Sequence, residues 1–200
     1  GEDFKFSNNK ISNSTKLALK GIQFGVYAAS DIYIKDKLIY TKNQQIIKLT
    51  TDSNGNAHAD DLLPGSYYLK ELNTKPLYHL NQETIPFQIT RDNNRAYSNV
   101  KLNLINSLKN CSINIFKYTM KEEKLPLYGV QFGLYAKEPI TNALGTVIIP
   151  KDTLIHTAFS DKDGNVSFQN LPYGDYYIKE LSTPSGYFKT EQSYFVHKKD

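Results

Sequence analysis

Two stretches of this chain repeat each other without a gap. Asp52-Ser-Asn-Gly55-Asn56 leads to Gly65-Ser-Tyr67-Tyr68-Leu69-Lys70-Glu71-Leu72, and Asp161-Lys-Asp-Gly164-Asn165 leads to Gly174-Asp-Tyr176-Tyr177-Ile178-Lys179-Glu180-Leu181. The same nineteen-residue step carries Asp52 to Glu71 and Asp161 to Glu180. A chain duplicated in this way must build one unit twice, and its functional residues should come in pairs. The duplication extends outward, because Gly21-Ile-Gln-Phe24-Gly-Val-Tyr27 matches Gly129-Val-Gln-Phe132-Gly-Leu-Tyr135. The 109-residue offset between Asp52 and Asp161 is too long for a solenoid repeat. It suits an independent small domain that buries its own core. Two tandem domains are expected, 1–108 and 109–200, meeting near Ser107 to Ser112.

The residue types narrow the class. Fifteen Tyr and ten Phe among many Thr, Val and Ile, in short runs broken by frequent turn signals, predict an all-β sandwich architecture. A net charge of +4 with Lys and Glu interleaved reads as solvated strand faces and not as a nucleic-acid surface. No apolar run is long enough to span a membrane. No signal peptide or anchoring tail is visible, so any targeting segments lie outside these 200 residues. The single cysteine, Cys111, cannot form an intrachain disulfide. That fits either a cytosolic protein or an exported one held by another cross-link. His58, His79, His156 and His197 share no motif that would partner a catalytic thiol, so Cys111 reads as structural or incidental.

Strand phase singles out a few polar residues. Alternate residues of a strand face opposite sides of the sheet. Tyr67, Leu69 and Glu71 therefore share one face, as do Tyr176, Ile178 and Glu180, while Lys70 and Lys179 mark the wet side. Each Glu is thereby placed among core residues, where an unpaired carboxylate is costly. Val100, Leu102, Leu104 and Asn106 form a similar row ending in an inward amide. Ile113, Ile115 and Lys117 form one ending in an inward amine. From phase alone, a buried ion pair with a satisfied amide accounts for these residues as well as a reactive set does.

Together these motifs resemble a known family. A first-strand Lys, the L-x-L-x-G-[IV]-Q-F segments from Leu17 to Phe24 and Leu125 to Phe132, the D-x-x-G-N turns, the G-x-Y-Y-[LI]-K-E-L strands and Pro184-Ser-Gly-Tyr187 are similar to the Cna-B-like or SpaA-type domains of Gram-positive surface adhesins and pilins. The resemblance covers essentially the whole chain. It implies two tandem immunoglobulin-like sandwiches of the reverse, Cna-B type. It also implies a spontaneous isopeptide bond within each domain, from a first-strand Lys to a last-strand Asn or Asp, assisted by the Glu of the Y-x-[LI]-K-E strand. The chemistry is coherent, since burial disfavours the charged forms of amine and carboxyl alike. A neutral amine can then attack the amide carbon while a carboxyl polarises the carbonyl and passes protons toward the leaving ammonia. Folding supplies the proximity.

On this resemblance Glu71 and Glu180 are the catalytic residues, Asn106 is the first-domain acceptor, and Lys117 is the second-domain donor. For the first-domain donor Lys10 is preferred, because it keeps the phase of Phe4 and Phe6 and stands eleven residues before Gly21, against twelve from Lys117 to Gly129. Lys5 is the alternative, with a local match of Phe4-Lys5-Phe6 to Phe116-Lys117-Tyr118. The spacing from Phe87 to Asn106, transferred to Phe195, puts the second-domain acceptor beyond Asp200. The final strand of that domain is then expected to be missing, leaving an open sheet edge; Asp200 itself is a weaker candidate.

The D-x-x-G-N turns resemble the start of a calcium loop, but Leu63 and Pro172 stand where its bidentate Glu should be. They read as tight turns, and no metal or cofactor is expected. The family resemblance implies a secreted, cell-wall-attached stalk or shaft module. Sortase attachment to the wall and contact with host matrix or cell surface would reside in other parts of the full protein. The alternative is a module binding a glycan or host matrix protein through Tyr33, Tyr40 and Tyr97. An enzyme pairing Glu71 with Glu180 is disfavoured, since the duplication puts them in separate domains.

Overall fold

The computed structural model describes residues 1–91, 100–120 and 123–199, so Tyr97 and Asp200 lie outside the described residues. All regular structure among the described residues is extended, and no helix is assigned. In chain order the strands are β1 (Glu2–Ser7), β2 (Lys10–Lys16), β3 (Gln23–Ala28), β4 (Ile32–Ile34), β5 (Lys37–Tyr40), β6 (Gln45–Thr50), β7 (Gly65–Glu71) and β8 (Ile85–Ile89). They continue as β9 (Cys111–Phe116), β10 (Gln131–Ala136), β11 (Ile140–Thr141), β12 (Val147–Ile149), β13 (Leu154–Phe159), β14 (Asn165–Leu171), β15 (Gly174–Ser182) and β16 (Ser193–Lys198). The chain divides into two compact units. Unit 1 holds Gly1–Glu2 and Lys16–Leu108, and unit 2 holds Asp3–Thr15 and Lys109–Asp200.

The duplicated sequence builds the same sheet twice. In unit 1 the order is β6-β3-β7-β8, and in unit 2 it is β13-β10-β15-β16, each pair antiparallel. Alternation drives both, because β7 buries Tyr67, Leu69 and Glu71 while Lys70 is exposed, and β15 buries Tyr176, Ile178 and Glu180 while Lys179 is exposed. The repeated Phe-Gly-x-Tyr motif has a packing reason. A Cβ on Gly25 would lie 2.6 Å from the Tyr27 ring, and one on Gly133 would lie 2.9 Å from the Tyr135 ring, so each glycine makes room for the tyrosine two residues on. Those rings then stack across the strands on Tyr68 and Tyr177, at centroid separations of 5.1 and 5.0 Å. Such cross-strand aromatic pairs favour the register beyond what burial alone provides.

Unit 2 has a second layer. β9 pairs antiparallel with β14, and Ile113, Val166 and Phe168 from this ribbon join Phe132, Leu134, Tyr176 and Ile178 from the main sheet in one apolar core. Unit 1 differs. The segment matching β14, around Asn56 to Leu62, is not a strand, and no counterpart of β9 is assigned beside it among the described residues. A strand needs a neighbour to take its backbone groups, and without one the extended state is not held.

Residues 3–15 group with unit 2, where Phe4 is buried and Phe6 and Ile11 pack on that unit's core. Two expected strands are not formed as read. The row Phe4, Phe6, Asn8, Lys10 is not one strand. Asn8 and Asn9 both adopt positive φ, 51° and 54°, and the chain reverses there from β1 into β2. Consecutive left-handed residues are what a two-residue hairpin turn requires, and Asn tolerates them. The expected strand from Val100 to Asn106 is likewise not assigned; Val100 and Leu102 are exposed, and burial begins only toward Asn106 and Leu108.

Candidate functional site

In each unit a glutamate near the end of the long central strand has its side chain turned into the core. Glu71 and Glu180 occupy the same place in β7 and β15, opposite Phe24 and Phe132 respectively. They are 5% and 3% exposed. Each carboxylate has one oxygen held by a backbone N–H ten residues on. The Asn81 N–H donates to Glu71 Oε2 at 2.6 Å, and the Thr190 N–H donates to Glu180 Oε2 at 2.8 Å.

The other oxygen meets a different partner in each unit. Asn106 Nδ2 donates to Glu71 Oε1 at 2.6 Å, with Asn106 itself buried. Lys117 Nζ donates to Glu180 Oε1 at 2.5 Å. Unit 1 therefore joins carboxyl to amide, and unit 2 joins carboxyl to amine. A shallow cleft lined by Phe24, Leu69, Ile85 and Leu104 opens beside the Glu71–Asn106 pair. Lys5 and Lys10 are both exposed and belong to the β1–β2 segment that groups with unit 2.

Lys117 is placed by its own strand and by the Asp161 turn. Phase carries Ile113 into the core and brings Lys117, just past β9, to the same face. The Lys117 N–H donates to Gly164 O at 2.7 Å, and its carbonyl accepts from the Leu127 N–H at 3.0 Å. Asn106 is held with less regularity. Its carbonyl accepts from the Glu2 N–H at 3.1 Å, and the next carbonyl, Ser107, accepts from the His79 N–H at 2.9 Å.

The D-x-x-G-N segments use their aspartates locally. Asp52 Oδ1 accepts from the Asn54 and Asn56 N–H groups, both at 2.9 Å, and Asp161 Oδ1 accepts from those of Asp163 and Asn165 at 2.9 and 2.8 Å. These carboxylates close their own turns. No cluster of metal-ligating side chains occurs among the described residues. Of the tyrosines of the alternative reading, Tyr33 is 54% exposed on β4 and Tyr40 is half-buried on β5. Cys111 is half-buried, with its thiol toward Pro172 O, and burial pushes that thiol up from its ordinary value.

What sequence reasoning missed is the backbone donor at Asn81 and Thr190. The two residues differ in type, so comparing the copies by identity passes over them. The signal available was shared chemistry, a short side chain with an oxygen that caps the turn ten residues after each Glu.

Comparison with known proteins agrees with this architecture. The family described as "SpaA: Prealbumin-like fold domain" matches residues 4–103 and again residues 111–200. Among curated relatives, the chain is 26% identical to Collagen adhesin of Staphylococcus aureus over 94% of its length, and 32% identical to Colossin-A of Dictyostelium discoideum over 75%. It spans only 16% and 1% of those proteins. Among solved structures, the Bacillus anthracis TIE protein aligns over 94% of this chain and 30% of its own, with a TM-score of 0.58 and 22% identity, a likeness of fold. With two matched copies that together take in nearly the whole sequence, the chain belongs to the SpaA prealbumin-like domain family as a tandem pair.

Proposed function

We propose that this chain is a structural module of a Gram-positive surface adhesin or pilin, secreted and attached to the cell wall, whose domains lock themselves with a Lys–Asn isopeptide bond. One observation carries the reading. The homologous carboxyls Glu71 and Glu180, each buried and each pinned by the same backbone donor, hold an amide in one unit and an amine in the other. By homology the two half-sites add up to one Lys–Glu–Asn set.

The reaction follows from that placement. The lysine nitrogen attacks Asn106 Cγ, the new C–N bond forms, the Cγ–Nδ2 bond breaks, and ammonia leaves. The carboxyl oxygen that faces the amine accepts its proton and returns it to the departing nitrogen, so the glutamate ends unchanged. Glu71 Oε1 lies 2.6 Å from that leaving nitrogen, within reach for the transfer. Each domain reacts once, which is self-modification and not turnover. Lys10 is the donor proposed for the first domain, with Lys5 the alternative. Either requires the β1–β2 segment to lie in unit 1 when the bond forms. Lys117, whose amine meets Glu180 Oε1, is the donor proposed in the second domain.

A bond from Lys10 to Asn106 would tie the two ends of its domain together and carry pulling force directly. By analogy with disulfides, closing a loop of this size stabilises by about 4–5 kcal/mol. Partners of the whole protein, host matrix or cell surface on one side and the wall on the other, would be met through its other parts. Intact mass of the purified chain tests the proposal. A deficit of one ammonia that disappears in Glu71→Ala is the expected result, and a full mass in the parent chain would refute it.

A further inference from the structure

We infer that Asn81 and Thr190 are positioning residues, which aim the carboxyls of Glu71 and Glu180 so that one defined oxygen handles the proton. This rests on the isopeptide reading of those glutamates. Both residues stand ten positions after their Glu, in the connection from β7 to β8 and from β15 to β16. In both, the backbone N–H donates to Oε2. Both also cap their own turn, since Asn81 Oδ1 accepts from the Glu83 N–H at 3.0 Å and Thr190 Oγ1 accepts from the Gln192 N–H at 3.2 Å. Asn and Thr have little in common beyond a side-chain oxygen able to reach the backbone two residues on. Its recurrence at the same place in both copies ties the turn to the glutamate.

The consequence is chemical. A free carboxyl has two equivalent oxygens and rotates between them. An N–H bonded to Oε2 ends that equivalence, because it fixes the rotation of the carboxyl and keeps Oε2 turned to the backbone while Oε1 faces the reacting groups. Oε1 is the oxygen that faces Lys117 Nζ in unit 2 and Asn106 Nδ2 in unit 1. Pinning Oε2 therefore makes the proton-accepting and proton-donating oxygen the same atom, with no rotation needed between the two transfers. Small misplacements of reacting groups cost about 100-fold in rate.

The test follows ammonia loss by intact mass in freshly translated full chain. Asn81→Ala removes the turn cap and should slow the loss about 10- to 100-fold, in line with a misaligned carboxyl. Asn81→Thr installs the residue that unit 2 uses, and should restore the parent rate and its pH profile. Ala reacting at the parent rate, or Thr failing to rescue, overturns the inference. Amide hydrogen exchange gives a readout that does not depend on the bond. In Glu71→Ala the Asn81 N–H loses its acceptor and should exchange faster, while nearby strand amides of β7 keep their protection. A parent chain that never loses ammonia removes the isopeptide reading. The chemical role falls with it, and the exchange result then decides the contact alone: faster Asn81 exchange supports the hold of this turn on Glu71, and unchanged exchange overturns that as well.

Discussion

Lys117 Nζ sits 2.5 Å from Glu180 Oε1, with 24% of the lysine side chain exposed and 1% of the glutamate. The pair is thus nearly dry on the acid side and partly wet on the amine side. Removing one partner from such a pair leaves a covered charge without compensation, which is worse than never having placed it there.

Glu180→Ala should therefore destabilise unit 2 by about 2–4 kcal/mol, the upper part of the range being tempered by the exposed quarter of Lys117. Lys117→Met, which retains the aliphatic stem, strands the nearly dry Glu180 carboxylate with the Thr190 N–H as its hydrogen-bond partner and should cost more than Glu180→Ala, which leaves a lysine able to reach water. Urea unfolding of the three proteins at neutral pH checks the order.

Gly164 is the second point of control on Lys117. Its φ is +79°, and a Cβ there would stand 2.3 Å from Lys117 O. Gly164→Ala must both strain the turn and push away the backbone that carries the lysine. A loss of about 2–3 kcal/mol is expected, and a crystal structure or amide shifts of Lys117 should show the strand end displaced.

Tyr176 and Tyr67 donate their hydroxyls to the carbonyls of Pro172 and Leu63, each four residues back. Tyr176→Phe removes a buried hydrogen bond and should cost about 1 kcal/mol. The pH dependence has a definite sign. Burial first, and the neighbouring Cys111 second, hold the Tyr176 phenol protonated well above its ordinary value of 10.0. The folded state keeps its proton while the unfolded state loses it, so the contribution is intact below 10.0 and lost as pH rises above it. The gap between parent and Tyr176→Phe should narrow above that pH in denaturant titrations.

Cys111 should be a poor nucleophile in the folded chain. Desolvation raises its thiol above the ordinary 9.0, against a smaller opposing effect of Lys198. Only the thiolate alkylates at a useful rate. Iodoacetamide labelling at neutral pH should be slow compared with the unfolded chain and accelerate as pH climbs past 9. Fast labelling in the native state would contradict the packing described.

Much of the architecture is legible in the sequence because strand burial is a local, period-two property. Tyr67, Leu69 and Glu71 point inward as their alternation requires, and so do Tyr176, Ile178 and Glu180. Lys117 follows the phase of Ile113 and Ile115 for the same reason. The same rule failed from Phe4 to Lys10, where two asparagines in the left-handed region turn the chain back on itself. It also failed at Val100 and Leu102, since apolar alternation does not make a strand without a neighbour to receive its hydrogen bonds.

The sequence by itself determined that two glutamates would be buried at equivalent places, one in each copy, and that an inward Lys would follow Ile113 and Ile115. Only the tertiary structure decided which atom each carboxyl oxygen meets. Those partners come from a turn ten residues along the chain, from Asn106 thirty-five residues after Glu71, and from Lys117 sixty-three residues before Glu180. Contacts of that reach depend on how strands pair and loops close, and no local periodicity encodes them.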